Sequence, residues 1–324
     1  MQNIKYSIIT ANYNGYHLME KYFESLENQT YKNFEILIID DCSTDDSYKE
    51  LLKYQKASKL DIKLFKTKEN SGPGVARNIG IDNATGEYIT FIDNDDWVEK
   101  GLLESINNIL LEKMYDCVVF DYSLDSKNNS RAMSSMYGNF NGEINKGDAI
   151  KYIRNHTVCK FYKTTIIKQN KLHFPDLKRH EDIAFVATTL VHCSSFYYLK
   201  KTYYHYVQRT NSLSNANDLD VSSVISAFSI VERELKKEYY NELIEKSVPD
   251  LLYGTCLIMS KQNKKNNEII DFINKYEKKY SNWYNSKIIT YMGKAKKIYL
   301  LLIKCRLVIM MKIVARIHTI MTSM

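Results

Sequence analysis

Apolar runs of strand length alternate with helix-periodic segments through the first hundred residues, and this alternation constrains the fold more than any other feature of the chain. "YSIITANY", "FEILIIDD", "DIKLFKTKEN" and "GEYITFIDNDD" are β-rich runs. Between them lie "GYHLMEKYFESLENQ", with Leu18, Tyr22, Phe23 and Leu26 on one helical face, then "DSYKELLKYQKAS" and "GVARNIGIDNAT". Strands apolar on both faces and interleaved with helices predict an α/β fold, a mostly parallel Rossmann-like sheet flanked by helices. In such sheets ligands bind beyond the carboxyl ends of the strands. The polar groups found there are Asn12 to Asn14, Asp40 to Asp46, Asn70 to Arg77 and Asp93 to Asp96. Four loops thus converge on one edge.

Beyond residue 102 the pattern loosens into a helix ("LLESINNILLEKM"), a strand ("DCVVFDYSL"), a polar loop near 125–146 and a second mixed block. Residues 217–283 read as helical. The expected organisation is a sheet domain over 1–215, a helical subdomain over 216–285 and a basic tail over 286–324. The six cysteines are scattered without a C-x-x-C pair, which fits reduced thiols, and "MQNIKYSIITANYNG" has no long apolar signal segment. A cytoplasmic protein is expected. The chain carries +7, yet from Ser286 onward there are eight cations and no acid, so the remainder nets to −1. A near-neutral body with a basic tail argues against nucleic-acid binding.

Each motif taken alone admits two readings. "YITFIDNDDW" places Asp93, Asn94, Asp95 and Asp96 after a strand, which fits a solvated turn or a cation site. "NSGPGVARNIG" opens a helix at a glycine turn, suited to phosphate with Arg77 as a charged fork, or an ordinary turn with a solvated arginine. Tyr13 and the Asp40/Asp41 pair suit a nucleobase with an imide N–H, or a core ring and a local turn cap. "LKRHEDIAF" puts His180, Glu181 and Asp182 before an apolar helix, where Asp182 is either a cap or a general base.

Together these residues resemble the family 2 glycosyltransferases of the GT-A fold, over roughly residues 5–215. "SIITANYNG" is similar to the family's nucleotide-binding strand and "ILIIDDCSTDDS" to its acidic loop. "ENSGPGVARNIGIDNATGEYITFIDNDDW" resembles N-x-G-x-x-x-A-R-N-x-G followed by D-x-D-D, and "CKFYKTTIIKQNKLHFPDLKRHEDIAF" resembles the acceptor-side block with its Glu-Asp pair. Ala11 and Asn12 replace the usual Pro-Val, and Val207 stands where the family has an arginine, leaving Arg209 as the nearest cation.

The resemblance implies an inverting, metal-dependent transferase using a nucleotide-sugar donor, most often UDP-linked, and a glycan or lipid-linked acceptor of a bacterial surface polysaccharide. It implies Mn²⁺ or Mg²⁺ on Asp95 and Asp93, and donor contacts from Tyr13, Asp40, Asp41, Arg77, Asp93, Asn94 and Arg209. Asp182 is the implied base, with Glu181, His180, Asp96 and Trp97 in support, Trp97 anchoring the loop. The rival reading is a scaffold that binds nucleotide sugars at the membrane with little turnover.

In the tail, "KAKKIYLLLIKCRLVIMMKIVARIHTIM", cations interrupt every apolar run, so no spanning helix is expected. Wound as one helix at about 100° per residue, Lys294, Lys297, Lys304, Lys312 and Arg316 share an arc of roughly 120°. Lys296 and Arg306 lie outside it, and Ile298, Leu302, Ile309 and Ile313 lie opposite. That pattern predicts a helix lying in an anionic membrane surface, or one packed on the protein's own body or a partner.

Overall fold

The computed structural model describes residues 3–127, 129–177, 179–209, 221–235 and 238–323. Met1–Ser135, Phe140–Lys146 and Arg154–Arg209 form one compact unit, and Met136–Asn139, Gly147–Ile153 and Thr210–Met324 a second. The 215/216 boundary expected from the sequence lies outside the described residues.

The first unit begins with β1 (Tyr6–Asn12), α1 (Glu20–Glu27), β2 (Phe34–Asp40), α2 (Ser47–Ala57), β3 (Ile62–Lys66), α3 (Pro73–Asn83) and β4 (Tyr88–Phe91). It continues with β5 (Trp97–Val98), α4 (Leu102–Glu112), β6 (Cys117–Ser126), β7 (Asn129–Met133) and β8 (Gly142–Ile144). After α5 (Lys146–Tyr152), which from Gly147 onward belongs to the second unit, come β9 (Lys160–Lys163), α6 (Thr164–Gln169), α7 (Glu181–His192) and β10 (Phe196–Val207). The sheet runs β3-β2-β1-β4-β9-β6-β10-β5, with β7 added on β6 and β8 on β10. The expected parallel α/β sheet is present from β3 to β4. Beyond it β9 enters antiparallel to both β4 and β6, and β10 lies parallel to β6, so that half is mixed. β7 and β8 occupy the stretch that reads as a polar loop.

Every residue of β2 and of β4 is buried, because helices cover both faces. Strand side chains alternate, so Ile8, Ile36 and Ile38 join one core cluster with Tyr22 and Leu26 of α1 and Leu103 and Ile106 of α4. One residue out of phase, Ile9 and Ile39 meet α3. A Cβ on Gly80 of α3 would stand 2.4 Å from Ile9 Cγ2, so only glycine lets this helix lie so close.

At the end of the strands away from the acidic loops, the fully buried Glu35 gathers Ser7 Oγ (2.6 Å), Lys63 Nζ (2.6 Å), Lys5 Nζ (3.1 Å) and the Thr85 N–H (2.6 Å). It ties β1, β2, β3 and the turn before β4 together. Burial works against its charge, but hydrogen bonds from Lys63, Ser7 and Thr85 outweigh it and hold its pKa at about 2, below the ordinary 4.5.

The second unit is mainly helical: besides most of α5 it holds α8 (Val221–Leu235), α9 (Tyr240–Ser247), a π-helical turn (Val248–Tyr253), α10 (Gly254–Lys261), α11 (Asn266–Lys279), α12 (Ile288–Tyr291), α13 (Lys294–Lys304) and α14 (Val308–Ser323), and Met136 and Ile153 form an isolated antiparallel bridge. The tail is therefore not one continuous helix, which corrects the single-helix arc. Arg306 is left-handed (φ 57°) and its guanidinium pairs with Glu277 and Asn274 of α11, breaking the helix between α13 and α14. Tyr299, Leu300, Ile303, Val308, Met311 and Ala315 are buried within the unit. Ile298, Leu301, Leu307, Ile309, Met310, Ile313 and Ile317 are exposed, Ile309 at 67%. Among the described residues no helix is long and apolar enough to cross a membrane.

The Glu35 knot generates a pH test. Its carboxylate is stabilised in the folded chain, so its contribution is complete above the unfolded value of about 4.5 and is lost as pH falls toward 2. At about 1.4 kcal/mol per pKa unit, the contribution is about 3 kcal/mol. Denaturant melts between pH 5 and 2 should show this loss, and Glu35→Gln should flatten that part of the profile.

Candidate active site

The site is assembled from the carboxyl ends of β1, β2 and β4, the first turns of α3, the start of α7 and the end of β10 with Arg209 beyond it. Asn12 closes β1 and links outward in two directions. Its Nδ2 donates to Asp40 Oδ2 (3.0 Å) and its Oδ1 accepts from Asn94 Nδ2 (2.8 Å). Asp40 also accepts from Ser43 Oγ (2.6 Å) and the Ser43 N–H (3.0 Å). Asp41 accepts from Thr67 Oγ1 (2.9 Å) and from the N–H groups of Ser71 (3.1 Å) and Gly72 (2.7 Å). The two adjacent carboxylates divide the work: Asp40 pins its own loop to β1, and Asp41 pins the turn leading into α3. Between these loops Tyr13 stands 46% exposed.

Arg77, on the first turns of α3, is buried and bridges two carboxylates: Nη2 donates to Asp93 Oδ1 (2.9 Å) and Nη1 to Glu181 Oε1 (3.3 Å). Its guanidinium lies over the Phe174 ring at 5.5 Å, and Phe174 stacks on Phe185 of α7 at 3.9 Å. Burial opposes the charge, but Asp93, Glu181 and Asp182 outweigh it and raise the Arg77 pKa. The residue implied as a donor contact thus binds the acidic loop to α7. α7 starts at Glu181, with His180 as the residue before it, left-handed at φ 63° and making no capping hydrogen bond through its side chain. Asp182 is therefore the second residue of the helix rather than its cap, and its Oδ1 accepts the Ile183 N–H (2.9 Å).

The acidic loop is held from β10. Tyr204 donates its hydroxyl to Asp96 Oδ2 (2.6 Å) and accepts from the Asp93 N–H (3.2 Å), while the Val207 N–H donates to Asp96 Oδ1 (2.8 Å). Trp97 stacks on His205 at 3.5 Å and 7°. His205 Nδ1 meets Asp125 (2.8 Å) and Ser123 (3.0 Å), and its Nε2 meets Glu99 (2.9 Å). Asp95 pairs with Arg209. Burial, with the Asp93 charge, pushes the Asp95 pKa up, and Arg209 works the other way. Burial, Asp93 and Asp95 push Asp96 up further. Neighbouring carboxylates drawn largely out of water are a place where added positive charge is favoured. Among the described residues there is no group of three or more His, Cys, Asp or Glu side chains able to hold a metal by themselves.

The structure thus brings together Asp40, Asp41, Arg77, Asp93, Asn94, Asp95, Asp96, Glu181 and Arg209 through hydrogen bonds and ion pairs. Asp182 enters through its charge on Arg77. Sequence reasoning passed over Phe174, Tyr204 and His205. Asn12 was placed at the polar edge of the sheet and as a departure from Pro-Val, without a role of its own. Tyr204 and His205 sit in "YYHYVQ", where nothing local marks one tyrosine among several.

A protein with this sheet and these converging loops falls in the GT-A class, and the sequence profile for Glycosyl transferase family 2 matches residues 7–170. The chain belongs to glycosyltransferase family 2. It is 29% identical over 210 residues to the poly(ribitol-phosphate) β-N-acetylglucosaminyltransferase TarS of Staphylococcus aureus, covering 64% of this chain and 36% of TarS. The chain thus spans about a third of that relative's length. EpsH of Bacillus subtilis, named as a glycosyltransferase, is 31% identical over 260 residues, 75% of this chain and 74% of EpsH. The crystal structure of S. aureus TarS 1–349 in complex with UDP-GlcNAc superposes with a TM-score of 0.72 at 22% identity, covering 97% of this chain and 91% of that one.

The Arg77 bridge makes a stability prediction. Arg77→Met leaves Glu181 buried without its cation and should cost about 3–5 kcal/mol in urea denaturation. Adding Glu181→Gln should recover part of that loss.

Proposed function

We propose that the chain transfers a sugar, with inversion, from a UDP-linked donor to a hydroxyl of a bacterial surface glycan or its lipid-linked precursor. The observation that carries this is the Asp93–Arg77–Glu181 bridge, which fixes Asp182 at the start of α7 beside the acidic loop. Family membership and the named activity of TarS support the same reading. The unit ending at Arg209 is the catalytic body of this proposal.

Tyr13 offers an exposed ring for the base, at the edge that Asp40 and Asp41 shape. Asp95 and Asp93 fit Mn²⁺ or Mg²⁺: both are hard oxygen donors, burial and the Asp93 charge raise the Asp95 pKa, and Arg209 already lies on Asp95 as a cation stand-in. Two carboxylates with donor phosphates and water meet the needs of such an ion, which when bound would neutralise the leaving diphosphate. Arg209, which pairs with Asp95, would share that task. Asp182 takes the proton of the acceptor hydroxyl as its oxygen attacks the anomeric carbon. The bond to the nucleoside diphosphate breaks, and the leaving group keeps the electron pair. Glu181 stays on Arg77 and keeps the helix start in place, so that the base does not move with the donor.

Asp182→Asn keeps the shape and removes the base. Transfer should fall roughly 10²- to 10⁴-fold while UDP binding by calorimetry is unchanged. A variant that loses stability and keeps turnover would mean that Asp182 only serves the helix. In parallel, Asp95→Ala should abolish the Mn²⁺ enhancement of UDP binding, and full activity in EDTA would overturn the metal assignment.

We also place the tail on an anionic leaflet. The exposed set from Ile298 to Ile317, interspersed with Lys294, Lys312 and Arg316, supports this contact, with each cation worth about 1 kcal/mol near such a surface. The full chain should float with anionic liposomes at low salt and detach as salt rises. Replacing Ile309, Met310 and Ile313 by serine should abolish flotation and leave UDP binding intact.

A further inference from the structure

A cleft separate from the ion-paired site lies on the first unit, between α1 and the segment from Trp97 to Lys100. Its volume is about 380 Å³, within the range of small-ligand sites. One wall is the exposed stripe of α1, where Lys21, Glu24 and Asn28 follow at helical spacing while Tyr22, Phe23 and Leu26 face the core. The other wall is Trp97, Glu99 and Lys100.

The frame is prearranged. Gln29, 1% exposed, donates its Nε2 to Ser25 O (3.0 Å) and Glu99 O (2.8 Å) and accepts the Leu103 N–H (3.2 Å). The Thr30 N–H donates to Lys100 O (3.1 Å). These bonds lock α1 to the segment after β5. Trp97 is fixed by its stack on His205, and no ring or cation among the described residues covers its other face. Most hydrogen-bonding groups of the cleft are unused: the side chains of Lys21, Glu24, Asn28 and Lys100 and the Trp97 N–H bond to none of the described residues, while Glu99 Oε1 is taken by His205 and Ser25 Oγ by Tyr22 O.

The chemistry selects a ligand class. Two ammonium groups and two carboxylates leave the rim neutral, so a phosphate or a nucleotide gains little from it. An aromatic ring beside alternating donors and acceptors suits a neutral sugar ring, with C–H groups against the indole and hydroxyls on the carboxylates, amide and ammonium groups. We infer that this cleft binds a neutral sugar residue of a glycan chain, away from the reacting hydroxyl. Its place in acceptor retention rests on the transferase reading; sugar binding itself does not.

The chain has two tryptophans, so 5-fluorotryptophan labelling gives two ¹⁹F signals. Trp97→Phe assigns them, and Trp283→Phe does so if the first variant does not fold. With UDP present at saturation to fill the donor site, cellotriose or chitotriose should shift the Trp97 signal saturably at millimolar concentration and leave Trp283 still. Glu24→Ala/Asn28→Ala, on the exposed face of α1, should weaken that binding about tenfold with unchanged melting temperature and UDP affinity. No saturable shift, or the same affinity in the double variant, overturns the inference. Sugar binding in a chain that never transfers would instead count against the transferase reading alone.

Discussion

A buried guanidinium between two carboxylates is the constraint on which the active end of this protein depends. Arg77 stands on α3, Asp93 lies in the loop that follows β4 and Glu181 begins α7, so one side chain fixes the mutual position of two helices and the acidic loop. The bridge is costly to bury and strong once formed, because Arg77 and Glu181 have lost most of their water, while Asp93 keeps part of its own. Aromatic packing completes the enclosure: Phe174 covers the guanidinium and stacks on Phe185, which in turn meets Phe91 of β4 edge-on at 5.7 Å. The base and the acidic loop are therefore not separate modules. Moving either one breaks the same ion pair.

The acidic loop shows how a fold tolerates three carboxylates in four residues. Each has a different remedy: Asp93 an arginine from α3, Asp95 an arginine after β10, Asp96 a tyrosine hydroxyl and a backbone N–H. Asp96 has left solvent for the core and is held by neutral donors, and its pKa rises accordingly. Asp95 remains the carboxylate whose balance depends on a cation that can be exchanged.

Much of the first hundred residues was legible because the information is local. Strand runs, helical faces and acids at strand ends are all periodic signals, and β1 to β4 follow them closely. The mixed half was not legible. β7 and β8 are short edge strands with polar residues that show no alternation, and β9 joins the sheet through partners far away in sequence. The role of Arg77 was hidden for the same reason: a glycine turn followed by arginine suggests an anion, and only the fold brings up Glu181 from 104 residues away. In the tail the single-helix periodicity misled, since the left-handed Arg306, already outside the cationic arc, is drawn to Glu277 and ends the helix there.

β10 has a consequence for how the protein is made. It is the last strand of the sheet to leave the ribosome, and it carries Tyr204, His205 and Val207, the groups that hold Asp96 and Trp97. These contacts span more than a hundred residues of chain, as in the 108 between Tyr204 and Asp96, so loop closure must precede their reward. A nascent chain can assemble β1 to β4 around the Glu35 knot well before this. Its acidic loop stays hydrated until β10 arrives. The half of the sheet that stabilises the fold is thus built first, and the half that shapes the acidic loop is built last.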